Sequence, residues 1–337
     1  MLCAYRIQKR REPRTAATLG VVNSGGNAGG SDGDTAKEPS SHVEWRASKR
    51  ASSRSSGAPN VTSVILTEML PPEPNLEVRS RLPDRANAGP PLLFVHGGYC
   101  DAWCWEPYFL PWFAARGYPA YALSLRGHGA SGGRESLFVA GIDDYAVDVA
   151  RVAGKLPSRP VLIGHSMGAA VVERLIAAGP VRAAALFAPV PPGGLGPVAG
   201  RLLAWQPEYL VNMQRLDAPH LAGDALAALR PMYFSDDVAP EILAEAVTHL
   251  TIESPRVILD LALPSPRLRP QPPIKPFVLG VGGDRIATPG DVAATASYYD
   301  TKATIVPGLA HMMMLERGWE TVAQPLLAWL EREAGRR

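Results

Sequence analysis

Ser166 sits at the centre of Gly164-His165-Ser166-Met167-Gly168, which closes the apolar run Val161-Leu162-Ile163 and opens a helix-like stretch, Ala169 to Ala178. A strand, a sharp turn and a helix in that order put a hydroxyl at the apex of a strained turn. Such a turn needs flanking residues with almost no side chain, and Gly164 and Gly168 supply them. The chemistry open to an exposed serine is attack on a carbonyl. It requires a base to take the proton and a third group to orient the base.

Open α/β sheets gather their sites at the carboxyl ends of strands. Two residues meet that condition: Asp284, reached from the strand Phe277 to Val281 through Gly282-Gly283, and His311, reached from Thr304-Ile305-Val306 through Pro307-Gly308-Leu309-Ala310. The other histidines fit the base role less well. His42 falls in a polar N-terminal tract, His96, His128 and His165 lie in turns where a backbone bond is the simpler role, and His220 and His249 belong on a surface insertion. Among the acids, Asp291 falls inside the helix opened by Pro289, Asp300 is a further rival, and Asp236-Asp237 reads as a solvated turn.

Positioning these groups requires a scaffold, and the pattern from Leu92 provides one. Leu92 to His96, Ala120 to Leu125 and Val161 to His165 read as strands, each followed by a helix: Trp105 to Arg116, Ile142 to Leu156, and Ala169 to Ala178. This alternation implies right-handed crossovers and a parallel sheet. Ala183 to Ala188, Pro276 to Val281 and Ala303 to Val306 add three strands, with helices from Pro289 to about Tyr299 and from Gly318 to Glu333. Val61 to Leu70 and Leu76 to Leu82, separated by Pro71-Pro72-Glu73-Pro74, should form an antiparallel edge, bringing the total to eight strands. Residues 190–270 are too long for a bare loop. They should hold helices of their own, including Pro240 to Leu250 and one opened by Ser254-Pro255, as a helical cap inserted after the sixth strand.

Of the 337 residues, 46% are hydrophobic and 20% charged, which fits a globular α/β protein. Residues 1–59, rich in Gly, Ser, Asn and Arg, should form a disordered tail, leaving 60–189 and 271–337 as the core. Residues 1–60 carry ten Lys and Arg against five acids, and the remainder carries 24 against 27. A mildly acidic folded part has no nucleic-acid footprint. No stretch reaches the ~18 apolar residues of a membrane span, so the expectation is a soluble, cytoplasmic protein. Basic Met1 to Arg14, with the single acid Glu12, is also compatible with an organellar transit peptide. Three cysteines support no disulfide framework; Cys100 and Cys104 near His96 lack the further ligands of a metal site and are expected to pack. Nothing in the sequence fixes an oligomeric state.

From about residue 60 onward the chain resembles the α/β-hydrolase superfamily. The resemblance rests on Leu92-Leu93-Phe94-Val95-His96-Gly97-Gly98, Ser124-Leu125-Arg126-Gly127-His128-Gly129-Ala130-Ser131, the Ser166 pentapeptide, Gly282-Gly283-Asp284-Arg285-Ile286-Ala287-Thr288-Pro289 and Gly308-Leu309-Ala310-His311. It implies Ser166 as nucleophile, His311 as base then acid, and Asp284 as orienter. It places the oxyanion hole at the backbone N–H groups of Gly98 and Met167, and it requires no metal or organic cofactor. Some members carry the acid after the sixth strand, but Phe187-Ala188-Pro189-Val190 offers no carboxylate there.

The functional expectation is a serine esterase or lipase-like hydrolase acting on a small-molecule ester or thioester, similar to the monoglyceride lipase branch. A serine nucleophile argues against the epoxide hydrolase and dehalogenase relatives, which use a carboxylate. His96-Gly97-Gly98 with Trp103 and Trp105 is also similar to plant methylesterases and hydroxynitrile lyases, so a lyase on the same triad is an alternative. A ligand-binding member of the fold without catalysis is another. Trp103, Trp105, Tyr108, Trp112 and Met312 to Met314 read mainly as core, with some of them candidates to line an apolar pocket.

Overall fold

A computed structural model describes residues 73–84, 89–215, 222–262 and 274–334. The expected tail 1–59, the expected strand Val61 to Leu70 and His220 lie outside the described residues. Seven strands, β1 (Val78–Arg81), β2 (Leu92–Val95), β3 (Ala120–Leu123), β4 (Val161–His165), β5 (Ala183–Phe187), β6 (Phe277–Val281) and β7 (Ala303–Val306), form one sheet in the order β1-β3-β2-β4-β5-β6-β7. Only β1 runs antiparallel, pairing Val78 with Leu123 and Arg81 with Ala120.

The sheet is covered on both faces: β2, β4 and β6 are buried at every position, and successive side chains point to opposite sides. Phe94, Ile163, Phe187 and Leu279 pack with α1 (Phe109–Ala114) and α10 (Glu320–Ala334). Leu93, Val95, Leu162 and Leu186 pack with α2 (Ile142–Lys155), α3 (Met167–Ala178) and α9 (Pro289–Tyr298). The single helix expected over Trp105 to Arg116 is instead a 3₁₀ turn, Ala102–Trp105, followed by α1. Pro107, which has no N–H to donate, falls at the break.

Five helices fill the described parts of the interval between β5 and β6: α4 (Leu195–Trp205), α5 (Pro207–Arg215), α6 (Ala222–Tyr233), α7 (Pro240–Thr248) and α8 (Pro255–Ala262). Ser254 opens α8 as its spacing suggests, since its Oγ accepts the Val257 N–H at 3.3 Å. α4 begins in a stretch rich in Pro and Gly, with Pro197 in its first turn, where no backbone donor is needed.

From β2 the chain moves outward to β3, then returns to lay β4 on the other side of β2. This reversal opens a crevice at the carboxyl ends of β2 and β4, and open α/β sheets bind ligands at such a point. Gly97-Gly98 leaves one strand there and Ser166 leaves the other.

Candidate active site

Ser166 joins β4 to α3 with φ 53 and ψ −117, a conformation costly for any residue with a side chain. The close packing beneath the turn enforces it. A Cβ on Gly164 would overlap the Gly168 carbonyl group, and one on Gly168 would overlap the carbonyl oxygens of Val95 and His96. The Ser166 N–H donates to the Phe187 carbonyl at 2.9 Å, tying the turn to β5.

The loops after β6 and β7 are stitched together. Gly282 N–H donates to the Val306 carbonyl at 2.8 Å and Gly283 N–H to the Gly308 carbonyl at 3.0 Å. Gly308 and Leu309 both take positive φ, 68 and 53, and turn the chain back toward β4. These loops deliver Asp284 and His311, each 3% exposed, to one point. Asp284 Oδ2 accepts from His311 Nδ1 at 2.7 Å, and its Oδ1 accepts the N–H groups of Ile286 at 2.8 Å and Ala287 at 2.9 Å. The other ring nitrogen, His311 Nε2, lies 3.1 Å from Ser166 Oγ. A carboxylate fixed by two amides can hold the imidazole in the tautomer whose Nε2 accepts a proton from the serine.

His96 and His165 bond backbone. His96 Nδ1 faces the Gly97 carbonyl at 2.7 Å and its Nε2 accepts the Leu125 N–H at 3.1 Å. His165 Nε2 donates to the His311 carbonyl at 3.0 Å. Burial, with the neighbouring His311 ring adding to it, pushes His165 well below the usual histidine range, so it is neutral and fixes the His311 backbone.

Gly97 and Gly98 lie against the turn. A Cβ on Gly97 would sit 3.2 Å from Ser166 Cβ, and one on Gly98 would sit 3.9 Å from Met167 Sδ. Met167 begins α3, so its N–H is one of the helix-start donors without an intrahelical acceptor. Beside this point opens a cavity of about 690 Å³, its solvent-filled mouth included, walled chiefly by apolar groups such as Trp103, Leu229, Tyr233, Leu243 and Met312.

The alpha/beta hydrolase family model matches residues 92–324, well over half of the chain. The chain belongs to the alpha/beta hydrolase family. Membership makes it a hydrolase of that family. It is similar to the mouse protein phosphatase methylesterase 1, at 36% identity over 94 residues, covering 27% of this chain and 24% of that protein. It is also similar to the pyrethroid hydrolase of Sphingobium wenxiniae, at 30% identity over 96 residues, covering 28% and 34%. The chain thus spans only about a quarter to a third of these curated relatives. An esterase of Exiguobacterium antarcticum shares the fold with TM-score 0.61 at 16% identity, covering 76% of this hydrolase and 95% of that one.

Several residues of this hydrolase near the site carried no sequence signal. His249, expected at the surface, is partly buried, lines the cavity and pairs with Asp101. Glu253 is buried close to Gly98. Tyr233 sets its ring edge toward His311 at 5.8 Å and accepts the Met312 N–H on its carbonyl at 2.8 Å. Cys100 and Cys104, expected from the sequence to pack, are buried and free of disulfides, and they also line the cavity. Among the described residues no group of three His, Cys, Asp or Glu side chains could hold a metal ion, and no helix is long and apolar enough to cross a membrane.

Proposed function

We propose that this hydrolase cleaves a carboxylic ester, or a thioester, of a small to medium apolar substrate through an acyl-enzyme at Ser166. The observation that carries the reading is the hydrogen-bonded line from Asp284 Oδ2 through the His311 ring to Ser166 Oγ, at 2.7 and 3.1 Å. Ser166 Oγ attacks the carbonyl carbon as His311 Nε2 takes its proton. The electron pair moves to the carbonyl oxygen, where the N–H groups of Gly98 and Met167 stabilise the negative charge. Collapse expels the alcohol, which leaves with the proton from His311. Water, deprotonated by His311, then releases the acid and restores the serine.

The helices between β5 and β6 act as a cap, residues 190–270 in this reading, above a core of 60–189 and 271–337. Its cavity wall takes the apolar part of the substrate. Support also comes from the relatives' names, methylesterase, pyrethroid hydrolase and esterase, all of them ester chemistry.

The test is a p-nitrophenyl ester together with a fluorophosphonate probe. The wild type should give a burst of chromophore and one covalent adduct at Ser166, and Ser166→Ala should give neither. Turnover unchanged in Ser166→Ala would end the proposal.

A further inference from the structure

Glu253 is a buried carboxylate that the mechanism above leaves unused, although it lies against the loop assigned to the oxyanion. Its side chain is fully buried. Oε1 accepts from Tyr145 OH at 2.6 Å and from the Ser254 N–H at 2.8 Å. Oε2 lies 3.2 Å from His128 Nε2 and accepts the Tyr99 N–H at 3.4 Å. A Cβ placed on Gly98 would sit 3.5 Å from Oε2.

Tyr99 is held at both of its backbone groups by one short segment. While Glu253 takes its N–H, its carbonyl accepts the Thr251 N–H at 3.1 Å. The residue has φ 63, a costly conformation for a side chain of this size, which persists only where its surroundings over-determine it. The peptide that follows Gly98 is therefore fixed from residues 251–253, more than 150 positions along the chain.

A bare carboxylate here would oppose a developing oxyanion. This carboxylate is not bare: Tyr145 OH and the N–H groups of Ser254 and Tyr99 donate to it, and His128 Nε2 lies against Oε2 while its Nδ1 faces the Arg126 carbonyl at 2.9 Å. Burial alone would raise the Glu253 carboxyl, but bonds from His128, Tyr145 and the Ser254 N–H outweigh it and leave it below its ordinary value.

We propose that Glu253 is a positioning residue for the oxyanion site: its carboxylate fixes the Tyr99 amide, and through it the angle at which the Gly98 N–H meets the developing charge. The proposal rests on Gly98 being an oxyanion donor, as argued under the proposed function.

Glu253→Gln is the discriminating variant because it is nearly isosteric. The amide oxygen stays with the two short donors, Tyr145 OH and Ser254 N–H, so its NH₂ faces the Tyr99 N–H and turns an acceptor into a donor. With a p-nitrophenyl ester, kcat should fall about 10- to 100-fold while KM stays within about threefold, the scale of a small displacement at a reacting centre. A trifluoromethyl ketone, which forms an oxyanion on Ser166, should lose affinity in parallel. The matching methyl ketone should not. Tyr145→Phe removes the shortest bond to the same carboxylate, at 2.6 Å, but leaves the Tyr99 contact, and should keep kcat within about threefold of wild type. Glu253→Asp keeps the charge and withdraws it from Tyr99, and carries the same expectation should Glu253→Gln not fold.

A kcat within twofold of wild type in Glu253→Gln would overturn the proposal, as would equal losses in Glu253→Gln and Tyr145→Phe with both ketones weakened together. Absence of a burst and of a Ser166 adduct in the wild type is a different result. It removes the acyl-enzyme reading, and this inference falls with it.

Discussion

His249 donates from Nδ1 to Asp101 Oδ2 at 2.8 Å, joining the end of α7 to the loop after β2 across 148 positions of sequence. The other oxygen of Asp101 accepts the Trp103 N–H at 2.8 Å, and the His249 ring lies parallel to the Trp103 ring at 4.7 Å. One pair therefore fixes a cavity wall built from both segments.

Its contribution should depend on pH. Burial pulls His249 down, but the hydrogen bond and charge of Asp101 outweigh it and leave it raised, with Glu245 adding to the rise and Arg79 opposing it. Burial pushes Asp101 up, but its bonds from His249 and the Trp103 N–H leave it lowered. A raised histidine contributes fully below its unfolded value and loses the contribution as pH climbs through the folded one. A lowered carboxyl contributes fully above its unfolded value and loses it as pH falls through the folded one. The pair should stabilise most between about pH 4 and 6.5, the two ordinary values, and less above. Melting curves of wild type and His249→Gln should differ most near pH 5.5 and converge toward pH 9. A gap that does not change with pH would refute this.

Asp284→Asn should abolish turnover without unfolding the protein. The Asn oxygen can keep the N–H groups of Ile286 and Ala287, which turns its NH₂ toward His311 Nδ1. Nδ1 must then accept, the ring proton moves to Nε2, and the nitrogen facing Ser166 can no longer take a proton. Loss of kcat should be about 10⁴-fold, with an unchanged melting profile. A loss below tenfold would mean that Asp284 does not set the tautomer.

How much of this could be read from the sequence differs by residue. The turn at Ser166 was legible because Gly164 and Gly168 sit where any Cβ would strike backbone, a constraint that shows as residue identity. Asp284 was legible as a strand-end residue because the run before it, Phe277 to Val281, is continuous, apolar and buried, and His311 because the short β-branched run Thr304-Ile305-Val306 precedes its loop. Glu253, Asp101 and the pairing of His249 were not. Each acts through a partner that folding brings from another part of the chain, and no spacing along the sequence records which loop α7 and α8 lie against.

The loop carrying His128 depends on one buried ion pair. Arg126 reaches the fully buried Asp148 with Nε at 2.9 Å, Nη2 at 2.7 Å and its backbone N–H at 3.1 Å. Asp148→Ala would leave a largely buried guanidinium without its main partner, and urea unfolding should register a loss of about 3–5 kcal/mol. Removing Glu73, the exposed partner of Arg151, should change little by comparison. Equal effects would show that burial does not set the cost.

Gly168→Ala and Gly154→Ala should move stability in opposite directions. A methyl on Gly168 meets the carbonyl oxygens of Val95, the last residue of β2, and of His96 just beyond it, backbone that cannot readily yield. The expected cost is at the upper end of overpacking, about 3 kcal/mol, or roughly 10 °C in Tm. A methyl on Gly154, in α2, meets nothing within 4 Å and should stabilise by up to about 1 kcal/mol. Shifts of the same sign in both variants would contradict the close packing inferred beneath Ser166.

The cavity leads to a prediction about acyl length. Ala246 lines it from α7 beside Leu243, and Leu229 and Leu315 also line it. Ala246→Trp would fill space that a long acyl chain needs and a short one does not reach. Each buried methylene is worth about 0.8 kcal/mol, so excluding two or three of them should lower kcat/KM about 10- to 50-fold. Across p-nitrophenyl esters from acetate to dodecanoate, the variant should match wild type at acetate and fall behind from about hexanoate upward. A uniform loss at every chain length would instead mean that the tryptophan disturbs Tyr233 and His311, and that the acyl chain lies elsewhere.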